Sequence, residues 1–87
     1  MKNDTFSKIT EEMKLLYEKK NTAYDGAFAK RYAKSGLSYA VNKIGEKCDR
    51  LCALERNHDI DILGESIVDT LIDMANYCVM TLMELRK

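Results

Sequence analysis

The sequence predicts an all-α protein, a small antiparallel bundle of three to four helices completed by oligomerisation. Three observations carry this reading. The 87 residues include no proline, and the four glycines (Gly26, Gly36, Gly45 and Gly64) stand singly, so few positions break a helix. Apolar residues recur at three-to-four spacing in several separate stretches, the period of a helix with one buried face. The last stretch is apolar around more than half its circumference. A single domain of this length cannot bury all of that surface, which predicts a homo-oligomer, a dimer or tetramer.

The first helix is expected from Asp4 to Lys20 or a little beyond. Asp4 or Thr5 can cap it, and Phe6, Ile9, Met13, Leu16 and Tyr17 form its apolar face. Asn21 to Gly26 reads as a break, because Asn21, Asp25 and Gly26 are turn residues. A short helix from about Ala27 to Lys34 follows, and Ser35-Gly36 makes the next break. The third segment runs from about Leu37 to Glu55, with Leu37, Ala40, Val41, Ile44, Cys48 and Leu51 on one face. Arg56 to Asp59 forms the connecting loop. The last helix starts between Ile60 and Ser66 and ends near Arg86, and the capping potential of Ser66 favours the later start.

Composition bounds the function. The chain is 46% hydrophobic and 32% charged, which is globular, and its length fits one domain spanning residues 1–87. Fourteen basic and 14 acidic residues give a formal net charge of zero. Direct nucleic-acid binding is not expected, since such binders draw much of their affinity from a basic excess. The charge is uneven, however: basic residues cluster up to Arg50, and acidic ones dominate from Asp59 to Asp73. Cys48, Cys52 and Cys78 are an odd number without a CxxC pair, against a disulfide framework or a zinc site. Cys48 and Cys52, one turn apart, read as reduced core residues. The longest uncharged run, Met74 to Met83, is too short to span a bilayer, and the expected location is the cytoplasm.

The most informative stretch is Glu65 to Tyr77. Glu65, Asp69 and Asp73 are each four residues apart, and Asn76 follows three later, so on a helix they form one stripe. Like charges at this spacing repel by a few tenths of a kcal/mol, on the order of 0.2–0.5 per pair. No basic residue lies between Glu65 and Leu85 to relieve them. A positive partner from elsewhere is implied: a metal ion, a basic residue on a neighbouring helix, or both. Hard oxygen ligands suit Mg²⁺ or Mn²⁺. On the preceding helix, Glu46 is placed to complete a metal site, while Lys47 and Arg50 can pair with the carboxylates or clamp a phosphate. Tyr24 can stack on a base or anchor the turn, and His58 is an isolated loop histidine.

Four segments together resemble the nucleotide-modification-associated domain 1 family, whose members are similar to MazG-type all-α nucleotide pyrophosphatases. They are Lys20-Asn21-Thr22-Ala23-Tyr24-Asp25-Gly26-Ala27-Phe28, Gly36-Leu37, Glu46-Lys47-Cys48-Asp49-Arg50-Leu51 and Glu65 to Tyr77. The resemblance implies acidic residues on two antiparallel helices holding Mg²⁺ (or Mn²⁺) against a nucleotide's phosphates. By position it implies Glu46, Asp69 and Asp73 as metal ligands. Glu65 (a further ligand or the base) and Lys47 are the implied catalytic positions. Tyr24, Lys47, Arg50 and Asn76 are the implied nucleotide contacts. The chain departs from the family pattern around the motif tyrosine, where Ala23 replaces an acid and Asp25 a glycine, which predicts a reshaped loop. Three functions follow as expectations. The first is a metal-dependent (d)NTP pyrophosphohydrolase in phage or bacterial nucleotide metabolism or modification. The alternatives are a non-catalytic nucleotide-binding oligomer, regulatory or sequestering, and a purely structural helical assembly.

Overall fold

The computed structural model describes residues 4–57 and 66–87. Among them run four helices: α1 (Thr5–Ala23), α2 (Ala27–Ser35), α3 (Leu37–Arg56) and α4 (Ile67–Leu85), with no strand. The protein is all-α, as composition and periodicity predict.

Local chemistry sets each boundary. Asp4 caps α1: its carboxylate accepts from the Ser7 hydroxyl at 2.7 Å and the Ser7 N–H at 3.0 Å. Those two bonds hold the Asp4 carboxyl below the usual aspartate range. At the other end, α1 runs through Asn21, beyond the expected break. Gly26 N–H donates to Asn21 O at 2.9 Å and Asp25 N–H to Thr22 O at 3.2 Å, the bond pair of a Schellman turn. These bonds bind the Asn21 and Thr22 carbonyls as the last helical acceptors, so the chain turns only after Tyr24. The left-handed position belongs to Asp25 (φ 55°), followed by Gly26 (φ 65°). Gly36 (φ 68°, ψ −154°) separates α2 from α3 in a conformation open only to glycine.

Ser66 starts α4 with a capping box. Its hydroxyl accepts the Asp69 N–H at 3.0 Å, and the Asp69 carboxylate accepts the Ser66 N–H at 3.4 Å. The later of the two expected starts is the observed one. His58, Asp59 and Glu65 lie outside the described residues.

The α3–α4 hairpin is the spine of the molecule, with α1 against α4 and α2 across both. Lys20 and Met13 of α1 meet Asp73 and Asn76 of α4 respectively, so α1 is antiparallel to α4. The core is small. Phe28 and Ala40 are its buried apolar residues, joined by buried Thr70 and Thr81. Both threonine hydroxyls are satisfied one turn back, by Ser66 O at 2.9 Å and Tyr77 O at 2.7 Å.

Several residues expected in the core are exposed. Phe6 is 78% exposed, and Ile9, Leu37, Val41, Cys48 and Cys52 are also exposed. For Phe6 and Ile9 the reason is that α1 meets α4 through Met13, Lys20 and their neighbours, leaving its first two turns beyond the contact. For α3, the inward face is narrower than the apolar face, and the surplus points away from the other helices. No helix among the described residues is long and apolar enough to cross a membrane.

Candidate functional site

Three helical faces and one turn converge on a single cavity of about 300 Å³. From α1 come Tyr17, Lys20 and Asn21, with Tyr24 following in the turn. These positions are spaced i, i+3, i+4 and i+7, one face of one helix. From α3 come Tyr39, Lys43 and Lys47, each four apart, and from α4 come Asp73, Asn76, Tyr77 and Met80. Phe28 of α2 forms the floor, its ring 5.4 Å from Tyr39 and 5.9 Å from Tyr77 between centroids. Such aromatic pairs contribute about 0.5–1.5 kcal/mol beyond their area, so the floor is rigid.

Charge is concentrated around Asp73. Its Oδ1 lies 3.1 Å from Lys20 Nζ and its Oδ2 lies 3.3 Å from Lys47 Nζ, and the side chain is only 14% exposed. One carboxylate thus bridges ammonium groups from two helices. Lys43 also lines the cavity and pairs with Glu46 at 3.4 Å, outside the lining. Three lysines against one carboxylate leave the lining cationic. Asn76 Nδ2 donates to Met13 O at 3.1 Å, tying α4 to α1 beside the lysines.

The positive partner that the acidic stripe calls for is therefore, at Asp73, a pair of lysines. The other candidate ligands lie apart. Asp69 is exposed and engaged in the capping box, and Glu46 is exposed and paired with Lys43. Arg50 is half-buried but does not line the cavity. Tyr24, Lys47, Asp73 and Asn76 come together in it. Lys20, Lys43, Tyr17, Tyr39 and Tyr77 join them and are not among the sequence-derived candidates; the regular spacing from Tyr17 to Tyr24 and from Tyr39 to Lys47 is the signal for them. Among the described residues, no three carboxylate, histidine or cysteine side chains converge as metal ligands. Asp73 is engaged by two ammonium groups, and Glu65, another of the candidate ligands, lies outside the described residues.

A second, more open hollow shares Tyr24 and Ala27 and adds Asp25, Lys30, Arg31 and Lys34. Here Lys30 Nζ contacts Asp25 Oδ2 at 2.7 Å. That hydrogen bond and the lysine's charge keep the Asp25 carboxyl below the usual aspartate range.

A family model described as nucleotide modification associated domain 1 matches residues 20–85. The chain belongs to this family. The matched span begins at Lys20 and includes every residue lining the main cavity except Tyr17. No curated protein matches the chain, and no solved structure does.

Proposed function

We propose that the protein binds a nucleotide in the cavity between its four helices. Phosphate oxygens meet Lys20, Lys43 and Lys47, and the base lies against the tyrosines. The observation that carries this reading is that Lys20, Lys43 and Lys47 line one chamber with a single carboxylate, Asp73, and with Tyr17, Tyr24, Tyr39 and Tyr77. Ammonium groups act on phosphate as mobile point charges with three donors each. Stacking a base on an aromatic side chain contributes about 1–3 kcal/mol and tolerates any base. The volume sits at the low end for small-ligand sites, roughly 300–1,000 Å³, which favours one nucleotide over a longer strand.

Asp73 has a definite part in this scheme. In the free protein it holds Lys20 and Lys47 in place and stops two ammonium groups from repelling each other. An arriving phosphate competes for both lysines. Asp73 then serves as a positioning residue and sets the affinity by that competition. The scheme needs no metal, since the lysines lining the cavity supply the counter-charge to phosphate.

Thermal shift with a panel of nucleoside mono-, di- and triphosphates, in Mg²⁺ and in EDTA, tests this, with product analysis on each sample. The expected result is stabilisation by nucleotide in EDTA, retained in Asp73→Asn, without new products. Absence of stabilisation across the panel overturns the reading. Mg²⁺-dependent release of pyrophosphate that disappears in Asp73→Asn overturns it in favour of a hydrolase.

A further inference from the structure

A second surface, on the opposite side of the α3–α4 hairpin, is unused by the cavity. Along α4, Val68, Leu71, Ala75, Cys78, Leu82 and Leu85 follow alternating steps of three and four, the seam of a helix that packs lengthwise on another helix. All but Ala75 are exposed, Val68 at 63% and Leu82 at 49%. Along α3, Leu37, Val41, Cys48 and Cys52 form a matching exposed stripe, with half-buried Gly45 midway along it.

Helical geometry brings the two stripes to one side. Going around α3, the cavity residues Lys43 and Lys47 come first, then the inward Ala40, Ile44 and Leu51, then the stripe. On α4 the order is Asp73 and Met80, then Thr70 and Thr81, then the seam. Because the helices are antiparallel, the same order on each leaves both stripes on the underside, away from the nucleotide cavity.

Gly45 supplies an independent clue. It lies inside α3, where glycine disfavours the helix, yet a Cβ built there meets nothing within 4 Å. Among the described residues, nothing calls for a glycine there. Area points the same way. The chain exposes 6463 Å², against roughly 5,200 Å² for a compact 10.0 kDa monomer. The surplus, about 1,200 Å², belongs to the chain as a whole, and the exposed apolar side chains of the underside are part of it.

We infer that a second copy of this chain covers the underside, pairing α3 with α3 and α4 with α4 across a two-fold axis to form a four-helix bundle with both cavities facing outward. The spacing selects the antiparallel pairing. The α4 seam reads the same from either end about a point between Asn76 and Tyr77, setting Val68 opposite Leu85 and Leu71 opposite Leu82. The α3 stripe is symmetric about a point between Ile44 and Gly45, where glycine lets two helices approach closely. The Lys47–Asp73 contact aligns these two centres to within about one residue, roughly 1.5 Å of rise. One axis therefore serves both helix pairs. The inference does not depend on what the cavity binds.

Light scattering of the purified chain is the first test. It predicts twice the 10.0 kDa chain mass, falling to the single-chain mass in a Leu71→Glu, Leu82→Glu variant. A monomeric wild type overturns the proposal, and so does an unchanged mass in a folded variant. Since that variant can also unfold, disulfide trapping supplies a second test. In a background with Cys48, Cys52 and Cys78 changed to Ala, the double variant Val68→Cys, Leu85→Cys yields a covalent dimer on oxidation. Neither single variant does, because the two copies of one position lie at opposite ends of the bundle. Cross-linking in Val68→Cys alone, or none in the double variant, overturns the antiparallel pairing.

Discussion

On the cavity side of the α3–α4 hairpin, Lys47, Asp73 and Asn76 find partners on other parts of the same chain, with Lys20 and Met13 arriving from α1. On the underside of the same two helices, Val41, Val68, Leu71 and Leu82 stay exposed. The helices are shared and the difference lies in which turn-positions are apolar. Polar side chains are satisfied within the chain where α1 and α2 cover the hairpin. Apolar side chains are left over where none of the described helices covers it. The described helices therefore enclose the cavity but leave an apolar face exposed, and the two faces are expected to fail under different substitutions.

Phe28→Ala separates them most strongly. Phe28 is 6% exposed and touches three tyrosine rings. Truncating it costs about 3–5 kcal/mol, a large part of the stability of so small a domain. Urea denaturation reads this directly, and a loss below about 1 kcal/mol would show that the aromatic floor does not hold the cavity side together.

Lys47→Ala, with Lys20→Ala beside it, acts next. Each removes one ammonium facing the proposed phosphate, and each is expected to weaken nucleotide binding about tenfold, equivalent to roughly 1.4 kcal/mol. Oligomer mass stays unchanged. Equal affinity in both variants would place the phosphate elsewhere, and a mass change would show that the two faces are not separable.

Gly45→Ala has a smaller effect whose sign depends on the underside. In the Leu71→Glu, Leu82→Glu background the added methyl meets nothing in its own chain and raises stability by about 0.8–1.0 kcal/mol through helix propensity. With the proposed second copy on the underside, the same methyl is expected to intrude between paired α3 helices and weaken the association. Stabilisation of similar size in both backgrounds would argue that Gly45 faces only solvent.

The smallest effect is at the N-terminal cap of α1, which belongs to neither face. Asp4 has its folded-state carboxyl lowered by bonds from Ser7. The stability it contributes is present above the ordinary aspartate value and is lost as pH falls through the depressed one. Far-UV dichroism is expected to show a slight loss of helix on strong acidification. Asp4→Asn, which still caps, removes this local part of the response. An identical acid profile in the variant would assign the loss to other carboxylates.

Most of the fold was legible because the boundary signals are local. Asp4, Gly36 and Ser66 act on backbone groups within a few residues, and each marks an observed helix start or stop. Asn21 was misleading because the turn reaches back to its carbonyl while Asp25 accepts the left-handed conformation. Core membership was less legible. Periodicity names an apolar face but not its occupant, so Cys48 and Val41 looked like core and face outward.

The candidate site divides along similar lines. Tyr24, Lys47, Asp73 and Asn76 meet in the cavity, since helix registers bring them there. The acidic stripe hid two different jobs, because Asp69 stands at the third residue of α4 and caps it, whereas Asp73 one turn later bridges two lysines. Lys20 was hard to assign because its contact with Asp73 joins residues 53 positions apart, a separation no local pattern reveals.

The central claim is that the cavity recognises a nucleotide through lysines rather than through a metal. Calorimetric titration of nucleoside mono- and triphosphates into the protein in EDTA, at low and high salt, tests it most directly. One site per chain is expected, saturable without divalent metal, with affinity falling as salt rises. Binding that requires Mg²⁺ and vanishes in EDTA would contradict it.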